Sequence, residues 1–253
     1  MPRTAAPEVL ENVHSPELGN RRDVLVYLPP SYHDSRRSYP VLYMHDGQNL
    51  FDPATSFAGE WGVGRILDAA ARRGLEALVV GVPNTGAGRL DEYSPCHDRD
   101  VREGGRGAAY AAFLAGTLKP LVDGRFRTRP SRDSTIIAGS SMGGLISLYA
   151  LFRHSDVFGA AGALSPSLWF AGGAIFADVD RSPFVPARIY LDIGTLEGAE
   201  HMVNARRMRD LLLAKGYRPG RDLRWLESRC GRHDEQSWGR RFARALPWLL
   251  PTP

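Results

Sequence analysis

Short continuous apolar runs are the clearest pattern along this chain. Such runs are typical of strands buried on both faces of a sheet, because both rows of side chains then contact a hydrophobic core. The runs predict central strands at 41–44, 77–82, 135–138 and 189–191, with weaker candidates at 160–164 and 223–226.

Apolar residues spaced three and four apart lie between these runs and predict helices. One predicted helical face collects Tyr110, Phe113, Leu114, Thr117, Leu118 and Leu121. Helices are likewise predicted over 142–152, 205–215 and 236–250, and Pro247 is expected to kink or end the last one. Residues 83–107 lack clear periodicity and predict a long loop, and a loop of this length is usually functional or disordered.

The start of the chain predicts an antiparallel hairpin. A β-branched and aromatic run at 24–28 stops at Pro29 and Pro30 and can pair with 9–14. After it the predicted order is strand, helix, strand, helix, strand, helix, strand, strand, helix, strand, helix. This order favours an α/β fold: a doubly wound, mostly parallel sheet with an antiparallel N-terminal hairpin and helices on both faces. We expect 1–253 to form a single domain, with 1–20 as an N-terminal extension and first edge strand.

The composition is that of a soluble globular protein, with 43% hydrophobic and 24% charged residues and a net charge of +4. The basic residues are interspersed with acidic ones, which argues against nucleic-acid binding. No apolar run is long enough for a membrane span or a signal peptide, so we expect a cytoplasmic protein. These features leave assembly into a homo-oligomer open.

The chain has two cysteines, Cys96 and Cys230. Two cysteines cannot build a structural zinc site alone, and free thiols are the default expectation. A disulfide between them is the alternative, because both fall in loops predicted at the same edge of the sheet.

The main chemical signal is Gly139-Ser140-Ser141-Met142-Gly143, which stands between a predicted strand and a predicted helix. In such a turn the serine hydroxyl rises above the sheet, and glycines at both ends avoid collisions with the neighbouring strand and helix. The pattern puts Ser141 rather than Ser140 at its centre. It matches neither a dinucleotide-binding fingerprint nor a P-loop.

A serine nucleophile needs a base, and the base needs an orienting acid. After such a serine the acid and then the histidine follow in chain order, each just past a strand. Glu197 follows the strand at 189–191 and is favoured as the acid over Asp192, which lies inside that strand. His233 follows the last strand and is favoured as the base over His201, which is too close to Glu197 in the chain.

Two backbone N–H groups are expected to form an oxyanion hole. One follows the nucleophile, at Met142, and the other comes from the loop His45-Asp46-Gly47-Gln48-Asn49, with Gln48 favoured and Asn49 as the alternative. Trp61, Tyr93 and Trp169 lie on loops predicted at the same edge. They could form an aromatic pocket with Asn49, and core packing is an equal interpretation for the three aromatic residues.

With these residues identified, the chain resembles the putative esterase family of α/β hydrolases, which includes esterase D, siderophore esterases, feruloyl and acetyl-xylan esterases and mycolyltransferases. The resemblance extends from about 21 to 250 and implies Ser141 as nucleophile, Glu197 as acid and His233 as base. It is carried in combination by residues 43–51, 92–95, 139–144, 194–197 and 231–235 together with Trp238.

The sequence therefore predicts a serine esterase that hydrolyses a small-molecule ester through an acyl-enzyme, with no cofactor or metal. A carbohydrate-linked, siderophore or small acyl or aryl ester is expected. An acyltransferase and an inactive hydrolase-fold binding protein are the alternatives. Four His-Asp pairs suggest a metal-dependent phosphohydrolase, but those domains are helical and this chain is rich in strands.

Overall fold

The strands follow the apolar runs of the sequence. The computed structural model of the protein describes residues 6–57 and 59–251. Residues 1–5 of the expected N-terminal extension lie outside them. The strands are β1 (Glu8–Ser15), β2 (Asn20–Tyr27), β3 (Val41–His45), β4 (Leu78–Val82), β5 (His97–Asp98), β6 (Glu103–Gly104), β7 (Thr135–Ser140), β8 (Ala160–Leu164), β9 (Arg188–Gly194) and β10 (Leu223–Ser228).

The helices fill the segments between the strands. They are α1 (Val63–Ala71), α2 (Arg89–Tyr93), α3 (Gly107–Ala112), α4 (Lys119–Arg125), α5 (Met142–Arg153), α6 (Phe170–Arg181), α7 (Ala199–Ala214) and α8 (Glu235–Leu249). A π-helical segment, Phe113–Leu118, joins α3 to α4. Helix α8 continues through Pro247 and ends two residues later.

Eight strands form one sheet in the order β1-β2-β4-β3-β7-β8-β9-β10. The β1–β2 and β2–β4 pairs are antiparallel, and all the other pairs are parallel. The predicted mostly parallel sheet with an antiparallel N-terminal hairpin is confirmed. Because β3, β7, β8, β9 and β10 run parallel, their carboxyl ends meet at one edge, where open α/β sheets bind ligands.

Side chains alternate between the two faces of the sheet and build two cores. On one face Tyr43 and Ile137 join a cluster with residues of α5 and α6. On the other face Leu42 and Ile136 join a cluster with residues of α1 and α8. Both faces are therefore covered, and this is why the central strands read as unbroken apolar runs.

The sequence pattern did not predict helix α6. It placed the strands at 160–164 and 189–191 in succession, with no helix between them. The first turn of α6 contains Ala171, Gly172 and Gly173 at φ values of 50°, 64° and 77°. This left-handed stretch interrupts helical geometry, so the apolar positions on either side do not follow one helical period.

The expected loop at 83–107 is more ordered than its composition indicated. It contains α2 and the short β5–β6 hairpin. The buried carboxylate of Glu92 accepts hydrogen bonds of 2.8 and 2.9 Å from Arg22 on β2, which fixes the segment to the sheet.

Helix α7 begins six residues before its predicted start. Its buried positions are Ala205, Met208 and Leu212, so the apolar stripe appears only in the second half of the helix. The first turns have no such stripe, and a periodicity search misses them.

Both cysteines are free thiols: Cys96 is half-buried and Cys230 is exposed. The alternative disulfide does not form. Within residues 6–57 and 59–251 no helix has the length and apolar character that crossing a membrane requires.

The packing of α8 against the segment before α1 predicts opposite effects for two helical Gly→Ala changes. A Cβ on Gly239 would overlap the carbonyl oxygen of Trp61, whereas one on Gly124 in α4 meets no atom within 4 Å. We expect Gly239→Ala to lower the free energy of unfolding by about 1–3 kcal/mol. Gly124→Ala should raise it by about 0.5–1 kcal/mol. Urea denaturation measures both, and a stabilised Gly239→Ala variant would contradict the tight contact.

Candidate active site

The turn between β7 and α5 holds Ser141 in a strained conformation, with φ 56° and ψ −124°. Its N–H donates to the carbonyl of Leu164 at the end of β8, at 3.0 Å. A Cβ on Gly139 would lie 2.8 Å from the carbonyl carbon of Gly143 and 2.8 Å from the ring of His45. The crowding explains the glycines, and strain of this kind is typical of functional turns.

Ser141, His233 and Glu197 form one hydrogen-bonded chain. Ser141 Oγ lies 3.0 Å from His233 Nε2, and His233 Nδ1 lies 2.8 Å from Glu197 Oε2. The side chain of His233 is 34% exposed and that of Glu197 is 0% exposed. These hydrogen bonds therefore connect a buried carboxylate to a solvent-accessible imidazole and hydroxyl.

The Glu197 carboxylate is surrounded by donors. Its Oε1 accepts hydrogen bonds from Ser165 Oγ at 2.6 Å, from Gly194 N at 2.8 Å and from Arg241 at 3.1 Å. Burial raises the pKa of the carboxyl, but the bonds from His233 and Ser165 and the charge of Arg241 outweigh it and hold the pKa below its usual value. The group is ionised and fixed in orientation.

Asp192 has a different environment from Glu197. It lies in β9 with no exposed surface, and its carboxylate accepts hydrogen bonds from Arg241 at 2.7 Å, from Ser165 N at 3.1 Å and from Tyr190 Oη at 3.1 Å. Burial raises its pKa to about 7, against the charge of Arg241. Its partners are therefore structural, and it makes no hydrogen bond to His233.

Arg241 is the main site residue that the sequence analysis missed. Its side chain is 2% exposed and connects α8 to both carboxylates, Asp192 and Glu197. One signal was available: Arg241 interrupts the apolar stripe of α8 beside Phe242 and Ala245. A charged side chain on a buried helical face requires a buried partner.

His233 lies two residues before α8 and next to its N-cap residue, Asp234. The side chain of Asp234 caps this helix by accepting a hydrogen bond from Ser237 N at 2.7 Å. The imidazole packs edge-on against Trp238, with ring centroids 4.8 Å apart. The start of the helix therefore sets the position of the histidine.

Potential metal ligands occur together beside His233. Among residues 6–57 and 59–251, Glu197, His201 and His233 have ligand atoms within 4.8 Å of one another. Glu197 and His233 are already joined by a hydrogen bond of 2.8 Å, and Arg241 donates a hydrogen bond to the same carboxylate. A cation would have to displace that hydrogen bond.

The loop after β3 carries the second predicted oxyanion donor. Gly47–Asn49 forms a single 3-10 turn after Asp46, which has a left-handed φ of 54°. The N–H of Asn49 donates to the carbonyl of Asp46 at 2.8 Å. Within the described ranges, no acceptor is bonded to the N–H of Gln48 or of Met142. Both N–H groups therefore remain free to bind a ligand.

A buried polar network supports this loop. Asp46 accepts two hydrogen bonds of 2.8 Å from Arg89, and its N–H donates to Tyr93 Oη at 3.0 Å. His45 is fully enclosed, and burial lowers its pKa to about 3. Its Nδ1 lies 2.9 Å from Tyr110 Oη. A neutral histidine therefore packs beneath the Ser141 turn.

The proposed pocket residues differ in their exposure to solvent. Trp61 is 6% exposed and packs against Trp238, and Tyr93 has no exposed surface. Asn49 is buried, and its side chain accepts a hydrogen bond from Phe57 N at 3.2 Å. Trp169 is 39% exposed and follows the turn after β8. Of the three aromatic candidates, Trp169 is the exposed one.

Comparisons with known proteins identify the family of the chain. The family model described as "Putative esterase" matches residues 15–249, a range that includes Ser141, Glu197 and His233. The chain is 29% identical over 245 residues to the uncharacterized protein YbbA of Bacillus subtilis, covering 91% of this chain and 93% of that protein. It is 27% identical over 242 residues to the iron(III) salmochelin esterase of Escherichia coli, covering 87% of this chain and 52% of that protein.

A solved structure shows the same fold. The BES protein from Bacillus cereus superposes with a TM-score of 0.78 at 19% sequence identity, over 100% of this chain and 97% of that one. The sheet order and the helices on both faces are therefore those of the α/β-hydrolase fold.

The buried position of Arg241 predicts a large loss of stability when its charge is removed. Arg241→Met leaves Asp192 and Glu197 buried without their cation, and we expect the free energy of unfolding to fall by about 3–5 kcal/mol. Arg240→Met, on the exposed side of the same helix, is the matched control and should change it by less than about 0.5 kcal/mol. Equal denaturation midpoints for the two variants would show that the contacts of Arg241 with the two carboxylates contribute no net stability.

The low pKa of His45 predicts a pH-dependent stability. Between about pH 3 and 6.5 the unfolded chain binds a proton at this residue that the folded chain does not, so stability falls as the pH falls. Between pH 7 and 5 this residue removes about 2 kcal/mol, and His45→Gln should abolish that part of the slope. Urea denaturation at the two pH values measures it, with His33→Gln at an exposed position as the control. Parallel slopes for wild type and His45→Gln would contradict the assignment.

Proposed function

Because the chain belongs to the putative esterase family and is a carboxylic ester hydrolase, we propose that it cleaves its ester through an acyl-enzyme on Ser141. The observation that carries this proposal is the hydrogen-bonded chain from Ser141 through His233 to Glu197, with contacts of 3.0 and 2.8 Å. All three residues follow strands at the same edge of the sheet.

The first step is activation of the serine. Glu197 accepts hydrogen bonds only, so Nδ1 of the neutral imidazole carries the proton and Nε2 is free to act as a base. His233 Nε2 takes the proton of Ser141 Oγ as that oxygen attacks the ester carbonyl carbon. Glu197 stabilises the imidazolium that results.

The negative charge develops on the former carbonyl oxygen. We assign the N–H groups of Met142 and Gln48 to this oxyanion, because both are free and belong to the turns after neighbouring strands β7 and β3. The amino end of α5 adds its positive dipole at the same place. Asn49 is a weaker candidate, since its N–H is already bonded to Asp46.

The tetrahedral intermediate collapses when His233 returns the proton to the leaving alcohol. The acyl group then remains on Ser141 Oγ, and His233 activates a water molecule that releases the acid and restores the serine. Transfer to an alcohol instead of water uses the same first half-reaction, so an acyltransferase is the alternative that product analysis separates.

We propose an apolar or aromatic ester component, because exposed apolar side chains occur on the segments that follow β8 and β9. Trp169 is 39% exposed, and Leu196, which directly precedes Glu197, is 54% exposed. One relative is an iron(III) salmochelin esterase, and we therefore propose siderophore-type and aryl esters ahead of carbohydrate-linked esters. A panel of p-nitrophenyl esters, feruloyl and acetylated sugars and a siderophore trilactone ranks these classes by kcat/KM.

Replacement of the nucleophile gives the main test. Ser141→Ala should lower kcat for a p-nitrophenyl ester by about 10⁴-fold or more and abolish labelling by a fluorophosphonate probe. Ser140→Ala, which removes the adjacent buried hydroxyl, is the matched control and should still be labelled. A labelled and active Ser141→Ala variant would overturn the proposal, and a folded wild type that neither reacts with the probe nor hydrolyses esters would indicate a binding protein.

A further inference from the structure

The turn after β8, residues 165–167, touches both ends of the proposed triad. Ser165 Oγ donates to Glu197 Oε1 at 2.6 Å. Ser167 Oγ lies 3.0 Å from Ser141 Oγ. We call this segment the β8 turn. No sequence pattern singled out either serine.

The β8 turn is rigidly held. Ser165 has a left-handed φ of 43°, and its N–H donates to Asp192. Ser167 N–H donates to the carbonyl oxygen of Ser141 at 3.0 Å. Ser167 is 3% exposed. The backbone hydrogen bond from Ser167 to Ser141 therefore also holds the Ser167 hydroxyl beside Ser141 Oγ.

The direction of the hydrogen bond between the two serines follows from a count of protons. In the neutral imidazole of His233 the one ring proton lies on Nδ1, which faces the Glu197 carboxylate, and Nε2 can then only accept. The single proton of Ser141 is then committed to Nε2. Ser167 must therefore donate its proton to Ser141 Oγ, which has a lone pair to accept it.

We propose that Ser167 is a further catalytic residue, whose hydroxyl donates a hydrogen bond to the reacting oxygen of Ser141. This inference rests on the proposed role of Ser141 as the nucleophile. It concerns the nucleophile oxygen itself, whereas the Met142 and Gln48 N–H groups serve the carbonyl oxygen of the substrate.

The donor acts in both half-reactions. In acylation the Ser141 proton moves to His233 Nε2, one Oγ lone pair forms the bond to the carbonyl carbon, and the carbonyl electron pair moves onto its oxygen. Ser167 keeps its own proton and stabilises the charge that builds on Oγ before the bond is complete. In deacylation Oγ leaves the acyl carbon and regains its proton from His233, and the same donor stabilises it as a leaving group.

Ser167→Ala tests the inference. Loss of a donor to a partly charged oxygen should lower kcat/KM for a p-nitrophenyl ester by about 10- to 100-fold, mostly through kcat. The second-order rate of fluorophosphonate labelling should fall by a similar factor, because it reports attack by Ser141 Oγ directly. Ser182→Ala is the matched control, since it removes a 2.7 Å serine hydrogen bond at the end of α6. It should leave both rates within about twofold of wild type.

The outcomes separate the two proposals. If Ser167→Ala is labelled at the wild-type rate while Ser141→Ala is not labelled, the Ser167 inference is wrong and the nucleophile assignment stands. If Ser141→Ala is itself labelled, the proposed function fails. Should Ser167→Ala not fold, Ser167→Cys keeps the side-chain volume with a much weaker donor. A wild-type labelling rate for that variant overturns the inference.

Discussion

The interaction on which the site depends is the buried guanidinium of Arg241 between Asp192 and Glu197. Burial disfavours the ionised form of both carboxylates, and α8 supplies the cation that opposes this effect. The same contact fixes the second turn of α8 against β9. Since His233 lies two residues before that helix, the ion pair also places the proposed base beside its acid.

Backbone strain is concentrated at the same edge of the sheet. Three non-glycine residues with positive φ, Asp46, Ser141 and Ser165, stand at the ends of β3, β7 and β8, which are neighbours in the sheet. Each is held by hydrogen bonds to an adjacent strand or loop. The arrangement keeps the N–H groups and hydroxyls in place before a ligand arrives, which is the condition for electrostatic stabilisation of a transition state.

The elements that the sequence predicted correctly are those whose apolar pattern lies within a single segment of the chain. Central strands such as β3 and β7 were predicted because a strand covered on both faces must be apolar throughout. Helix α6 was missed because its left-handed first turn breaks the period, and the first half of α7 because few of its residues are buried. Ser141 was proposed from the glycine-flanked pattern between a strand and a helix, and Glu197 and His233 from chain order and a position just past a strand.

The sequence by itself determined the order of the strands along the chain, the Gly139–Gly143 turn and the three residues that the structure brings into one hydrogen-bonded chain. Only the tertiary structure decided that Arg241 lies against Asp192, 49 residues away, and that Ser167 lies against Ser141, 26 residues away. The reason is physical. Apolar periodicity is a local property of the chain, whereas a hydrogen bond requires two groups within about 3 Å, and that distance is set by how the strands and helices pack.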